Sequence, residues 1–380
     1  VFVATDAGNR IYETDGELNN TAYDANLTQV ILPSPADLVA GTITIPENAV
    51  PGENATIEYT VENQSTETAI GSWNDSIYIS ANDQWDVNDQ LFKQIQVSGP
   101  INSGESYSRT VTATLPGVIP GDYNVIVRSD IRNAIPESDE SNNKGASDEQ
   151  TAVDTELLEF GTPDTGTLAQ GQAVYYKIEA EAGQTLKIKL DSASDDSLNE
   201  LFLRYGEMPT RGKYDITTEA PFASDPEIII PTSEAGTYYV LAYGDRVVGE
   251  AEYSISAEVL PFSLESIGAD KVGNAGLVTL EIKGARFTEN TAFELVDNNG
   301  NVISSERLLV QDASTAYVSF ILEDQLLGAY DVKATREDGE TALLDAALTV
   351  ETASGNDVAT NIDGPEIVRP ERKYLFNVNY

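Results

Sequence analysis

The 380-residue chain has no cysteine, no histidine, a single methionine and only 22 Lys+Arg against 63 Asp+Glu, a formal net charge of −41. Each scarcity excludes a class of chemistry. Without Cys or His there is no disulfide, no zinc finger, no Cys or His nucleophile–base pair and no imidazole ligand. Any metal must sit among oxygens, which points to calcium, magnesium or manganese. A surface this acidic repels a polyphosphate backbone, so no nucleic acid is expected as a partner. Anionic lipid surfaces are disfavoured for the same reason. Long apolar runs are also missing. Segments such as Glu227-Ile228-Ile229-Ile230 are a few residues long, whereas a membrane helix needs about 20, so no membrane insertion is expected. The sequence opens on Val1-Phe2-Val3, which reads as mid-strand, and closes on Tyr374-Leu375-Phe376, a strand just begun. The expectation is an excised piece of a longer protein.

What is present is enough to fold. Hydrophobic residues make up 41% and there are 18 tyrosines, so the chain is no disordered acidic tail. Its length suggests about two to four domains. The clearest internal signal is a repeat at an offset of about 124 residues, in which VFVATDAGNRIYETDGELNN at 1–20 matches VIVRSDIRNAIPESDESNN at 125–143. Asp6 aligns with Asp130, Asn9 with Asn133, Glu13 with Glu137 and, after one gap, Glu17 with Glu140. The spacing suits one all-β domain per repeat. Between 36 and 150 apolar residues alternate with polar ones, as in Ala55-Thr56-Ile57-Glu58-Tyr59-Thr60-Val61, and Gly52, Gly71, Gly104 and Gly121 separate the runs. Short alternating strands with no 3.6-residue period predict antiparallel sandwiches.

Three stretches carry family resemblances. Ala36-Asp37-Leu38, Pro51-Gly52-Glu53, Val61-Glu62-Asn63, Gly121-Asp122-Tyr123 and Asp130…Glu137…Asn142-Asn143 together resemble the CARDB module, a bacterial cell-adhesion-related domain of immunoglobulin-like fold. Gly166-Thr167-Leu168, Tyr175-Tyr176-Lys177-Ile178 and Ala235-Gly236-Thr237-Tyr238-Tyr239-Val240 resemble the pre-peptidase C-terminal module, a jelly-roll-like sandwich found beside secreted bacterial enzymes. Thr279–Phe287, written out as TLEIKGARF, is similar to the strand-turn of IPT/TIG immunoglobulin-like domains. The predicted organisation is therefore all-β, with tandem immunoglobulin-like and jelly-roll-like β-sandwiches in an elongated array. A preceding CARDB-like repeat ends over 1–34, and a CARDB-like sandwich covers 35–153. A pre-peptidase-like sandwich covers 154–260 and an IPT/TIG-like one 261–352. A linker at 353–363 leads to the first strand of a further module at 364–380.

No Gly-x-Ser-x-Gly elbow, P-loop or dinucleotide fingerprint occurs, and the fragment is expected to be non-catalytic. Calcium is the expected ion, because hard cations take six to eight carboxylate, amide and carbonyl oxygens. One candidate loop offers Asp83, Asp86, Asn88 and Asp89. A second offers Asp130, Asn133, Glu137, Glu140 and Asn142, with its copy at Asp6, Asn9, Glu13 and Glu17. A third group is Asp191, Asp195, Asp196 and Glu200. The same residue types also fill turns, because Asx side chains bond their own backbone. Trp73, Trp85, Tyr78, Tyr175, Tyr176, Tyr238 and Tyr239 suit either a sugar-stacking platform or ordinary strand packing. The functional expectation is a modular segment of a large secreted or cell-surface bacterial protein. It would act in adhesion or as a calcium-stiffened spacer, monomeric, with a surface glycan or matrix protein as partner. The rival is an accessory substrate-binding or export region of a secreted hydrolase.

Overall fold

Along Asn54–Asn63 every second side chain is buried, running Ala55, Ile57, Tyr59, Val61 and Asn63, while Asn54, Thr56 and Glu58 face out. That period of two is the geometry of a half-buried strand, and it recurs through the chain. The computed structural model describes residues 2–16, 18–26, 34–218, 223–354, 361–363 and 377–379. Among them there is no helix. The chain is all-β and built of β-sandwiches.

One compact unit gathers Val1–Ala49, Asn54–Pro116 and Gly121–Val153. In it β1 (Phe2–Ala4) pairs antiparallel with β2 (Thr21–Tyr23). Then follow β3 (Leu38–Thr44), β4 (Asn48–Ala49), β5 (Asn54–Asn63), β6 (Ser72–Ser80), β7 (Gln90–Ser98), β8 (Ser106–Thr114), β9 (Gly121–Arg128), β10 (Lys144–Ala146) and β11 (Thr151–Val153). One sheet runs β3-β5-β8 and the other β4-β11-β9-β6-β7, with β10 also on β9. Leu38, Ile57, Val61, Trp73, Ile77 and Val127 are buried between them. The β4–β11 pair is parallel, joining Asn48 to Ala152 and Ala49 to Val153. Gly71 has φ +136°, a region closed to most side chains. A Cβ there would also meet Ile135 Cδ1 at 2.9 Å.

The second unit comprises Val50–Glu53, Gly117–Pro120 and Asp154–Tyr380. Its first strands are β12 (Glu156–Leu157), β13 (Asp164–Ala169), β14 (Ala173–Ala180), β15 (Leu186–Ser192), β16 (Leu198–Tyr205), β17 (Ile216–Thr217), β18 (Glu227–Ile230), β19 (Gly236–Arg246) and β20 (Glu250–Val259). They form sheets β12-β14-β19-β16-β17 and β13-β20-β15-β18 around a core that includes Ile178, Ile188, Leu190, Leu201, Val240 and Ile255. A further sandwich has β21 (Ser263–Ile267), β22 (Lys271–Gly273), β23 (Leu277–Ala285), β24 (Ala292–Asp297), β25 (Val302–Ser304), β26 (Arg307–Asp312), β27 (Thr315–Ile321), β28 (Gly328–Thr335) and β29 (Thr341–Glu351). Its sheets are β21-β23-β27-β26 and β22-β29-β28-β24-β25, over a core that includes Ile282, Phe293, Phe320 and Val332. Finally β30 (Asn361–Asp363) pairs with β31 (Asn377–Asn379). Gly364 through Phe376, where the strand of a further module is expected to begin, lies outside the described residues.

Candidate functional site

The acidic cluster sits in the loop between β9 and β10, and its carboxylates organise backbone. Asp130 and Asn133 hold left-handed φ values of +42° and +48°, which Asp and Asn tolerate because their short side chains bond locally. The buried Asp130 carboxylate accepts the amides of Ala134 at 2.9 Å and Ile135 at 2.7 Å. The repeat copies this shape, since Asp6 and Asn9 also have φ +42° and +48°. Asp6 accepts the Arg10 and Ile11 amides at 2.8 Å each. Glu13 lies in the turn that follows, and Glu17 is outside the described residues.

Farther along, the β9–β10 loop fastens the end of the domain to its beginning. Ala36 N donates to Pro136 O at 3.1 Å and Ser138 N to Ala36 O at 2.8 Å, a parallel bridge of Ala36 with Glu137. Glu137 Oε2 accepts the Leu38 amide at 2.5 Å and Oε1 the Asn143 Nδ2 at 2.8 Å. Asn142 Nδ2 donates to Asp37 Oδ1 at 3.0 Å, and Glu140 accepts the Glu137 amide at 3.3 Å. Burial, together with the charges of Glu140, Asp130 and Asp37, pushes the Glu137 carboxyl up to about 8 against the pull of the Leu38 amide. The Oδ1 atoms of Asn142 and Asn143 are buried without a donor. The clasp thus gathers Asp130, Glu137, Glu140 and Asn142, and it holds more acceptors than donors.

Asp83, Asp86, Asn88 and Asp89 lie in the exposed turn between β6 and β7. Asp86 Oδ1 accepts the Asn88 amide at 2.6 Å and Asp89 Oδ2 the Asp86 amide at 2.8 Å, self-bonded turns of the Asx kind. Trp85 packs edge-on to Tyr78 at 5.9 Å under the Arg128 guanidinium, 3.9 Å from its ring centre. Trp73, Tyr175, Tyr176, Tyr238 and Tyr239 are all buried, so for these five strand packing is the role observed. The group Asp191, Asp195, Asp196 and Glu200 is divided between sheets, with Asp191 in β15 and Glu200 in β16. Glu200 instead pairs with Arg211. Among the described residues no three acidic side chains are placed to hold a metal by themselves.

One polar group was missed by sequence reasoning. Asp75 is fully buried in β6, and its Oδ2 accepts the hydroxyls of Tyr59 and Tyr107 at 2.8 Å each. Its Oδ1 accepts Ser129 Oγ at 2.9 Å and the Asp130 amide at 3.3 Å. Trp73 Nε1 donates to the Tyr107 hydroxyl at 3.2 Å. Burial pushes the Asp75 carboxyl up from its ordinary value, while the hydroxyls of Tyr107, Tyr59 and Ser129 and the Asp130 amide oppose it. Burial and then the Asp75 charge raise both tyrosines in turn. The signal was available: alternation in Ser72–Ser80 points Trp73, Asp75, Ile77 and Ile79 inward together, and a carboxylate at an inward position must find donors.

These features define a modular protein of β-sandwich domains whose acidic loops serve the fold. Residues 35–147 match the CARDB family and residues 172–244 the family described as bacterial pre-peptidase C-terminal domain. Each match covers part of the chain. It is 30% identical over 88 residues to alkaline serine exoprotease A of Vibrio alginolyticus, a stretch that is 23% of this chain and 16% of that protein. Among solved structures, the CARDB domain of a Pyrococcus furiosus protein in complex with di-metal ions is similar at 22% identity. That match covers 35% of this chain and 99% of the other, with a TM-score of 0.25. The pre-peptidase C-terminal domain of a Bacillus anthracis collagenase is similar at 16% identity, covering 28% and 95%, with a TM-score of 0.24.

Proposed function

We propose that this segment is a non-catalytic spacer and binding region of a large secreted or cell-surface bacterial protein. The observation that carries the reading is the clasp. The most acidic loop of the CARDB domain is used to tie Ala36–Leu38 to residues 136–143, which is the work of a joint and not of a reactive centre. The −41 charge fits a salty or divalent-rich exterior, where a Debye length of about 8 Å or less screens self-repulsion. The test is incubation of the purified chain with protein and polysaccharide substrates, alongside cosedimentation with cells and immobilised matrix proteins. Binding without turnover is the expected result; turnover of any polymer overturns the reading.

Calcium as a stiffener of the clasp is supported by one feature, the donor-free Oδ1 atoms of Asn142, whose amide lies on Asp37, and of Asn143, whose amide lies on Glu137. Oxygens that lack donors suit a hard cation. Glu137, Glu140, Asn142 and Asn143 would hold it, the ion supplying charge neutralisation alone.

The similarity to a serine exoprotease favours a second reading, in which the parent is a secreted protease and this region its accessory part. The full-length sequence decides: a protease domain in the same polypeptide supports this reading, and many more sandwich repeats without one support the first.

A further inference from the structure

We infer that the pre-peptidase-like sandwich carries a preformed pocket for a neutral, polyhydroxylated ring, a sugar unit of a polysaccharide. This rests on the binding role proposed above and names the ligand class for it. The pocket lies on the face of the β12-β14-β19-β16-β17 sheet that points away from the Leu201 and Val240 core. Glu200 and Phe202 of β16 stand on that face opposite Tyr243 and Leu241 of β19. The connection from β16 to β17 folds back over them. Its Met208 is buried, Thr210 and Lys213 exchange backbone bonds at 2.9 and 3.1 Å, and Asp215 accepts the Tyr205 amide at 2.9 Å.

This connection delivers two side chains. Tyr214, 42% exposed, sets its ring 5.1 Å from Phe202. Arg211 grips Glu200 through Nε at 2.7 Å and Nη2 at 3.0 Å, reaches Asp245 through Nη2 at 2.8 Å, and lies 4.3 Å over the Tyr243 ring. Between these walls is a space of about 360 Å³, lined also by Thr217.

The lining selects the ligand by elimination. Two carboxylates around one guanidinium, on a chain of net charge −41, repel an anion. A cation would have to displace Arg211, whose guanidinium already holds both carboxylates. A purely apolar molecule would cover the polar wall without pairing its groups, which is costly for each one buried. A sugar ring presents what remains: a C–H face for Tyr214 and hydroxyls that both donate and accept for Glu200, Asp245 and Arg211. Because the loop and the arginine are already fixed, little ordering is lost on binding, and the volume suits a small ligand.

The experiment is affinity electrophoresis of the 380-residue chain in gels containing neutral polysaccharides (dextran, laminarin, galactomannan, glycol chitin), with alginate as the anionic comparison. Retardation in at least one neutral gel and none in alginate is expected, weakened at least tenfold by Tyr214→Ala and by Arg211→Ala but retained by Tyr214→Phe. Far-UV circular dichroism of each variant establishes that it folds, and Tyr214→Phe keeps the ring where Tyr214→Ala would disturb the loop. No retardation in any neutral gel, or retardation untouched by both alanine variants, overturns the inference. Those outcomes leave the spacer reading intact, whereas hydrolysis of a gel polysaccharide would remove the non-catalytic reading itself.

Discussion

Removal of one tyrosine hydroxyl from the Asp75 network has a calculable consequence. Tyr59→Phe takes away one of four donors to a carboxylate sealed from water, and a hydrogen bond to a charged group contributes about 1.5–3 kcal/mol. Tyr107→Phe takes away another. Each variant should lose about that much. The pair should lose less than the sum, because a carboxylate left with Ser129 and the Asp130 amide takes up a proton more readily, which caps the penalty at about 1.36 kcal/mol per unit of pKa. The pH dependence follows from the sign of the shift. The Asp75 carboxyl is already raised in the folded state, so its proton-linked stabilisation is complete below the unfolded value and is lost as pH rises through the folded one. Loss of a hydroxyl donor raises the folded value further. The deficit of Tyr59→Phe relative to wild type is therefore smallest at low pH, where the carboxyl is protonated, and grows as pH rises through the folded value. The assay is built in, because both tryptophans of the chain, Trp73 and Trp85, lie in this sandwich and their emission during urea unfolding reports on it alone. A deficit that stays under about 0.5 kcal/mol at every pH, or one that does not grow as pH rises, would refute the claim that the hydroxyls hold a charge.

Asp130→Ala should cost about 2–4 kcal/mol by Trp-detected unfolding, since it frees two loop amides and puts an alanine at φ +42°. Asp130→Asn should recover part of that. Glu137, raised to about 8, contributes stability that is fully present below about pH 4.5 and is lost as pH rises through 8. Glu137→Gln should flatten the melting temperature between pH 5 and pH 8.5. Calcium in place of chelator should raise the wild-type melting temperature increasingly over the same range, with about 2.7 kcal/mol reached at 100 times the dissociation constant, and Glu137→Gln should abolish the rise. Phe293→Ala in the last sandwich, where the ring is buried 5.3 Å from Phe287, should cost about 3–5 kcal/mol by calorimetry while leaving the tryptophan emission of the native state unchanged.

The strands were legible because alternation is a local property: Ala55 through Val61 can be placed in a sheet from their order alone. The loop at Asp130 was legible as a repeat of Asp6, and both copies share one backbone shape. Its use was not legible, since the sequence shows oxygens but not which amides they face, and the partner Leu38 lies 99 residues from Glu137. Arg211 was invisible for the same reason. Its carboxylate partners are 11 and 34 residues away, on two strands that only the sheet order β19-β16 makes neighbours. Glu200 read as a cation ligand because its neighbours in sequence are acidic, while its neighbour in space is a guanidinium.

The parallel contacts of the first sandwich bear on how it would behave when stretched. Ala36 runs alongside Glu137 and β4 alongside β11, each pair with its strands in the same direction. A pull that draws residue 36 one way and residue 153 the other slides these partners lengthwise past each other. Their bonds are then strained together and must rupture in concert, whereas an antiparallel end peeled open would give way bond by bond.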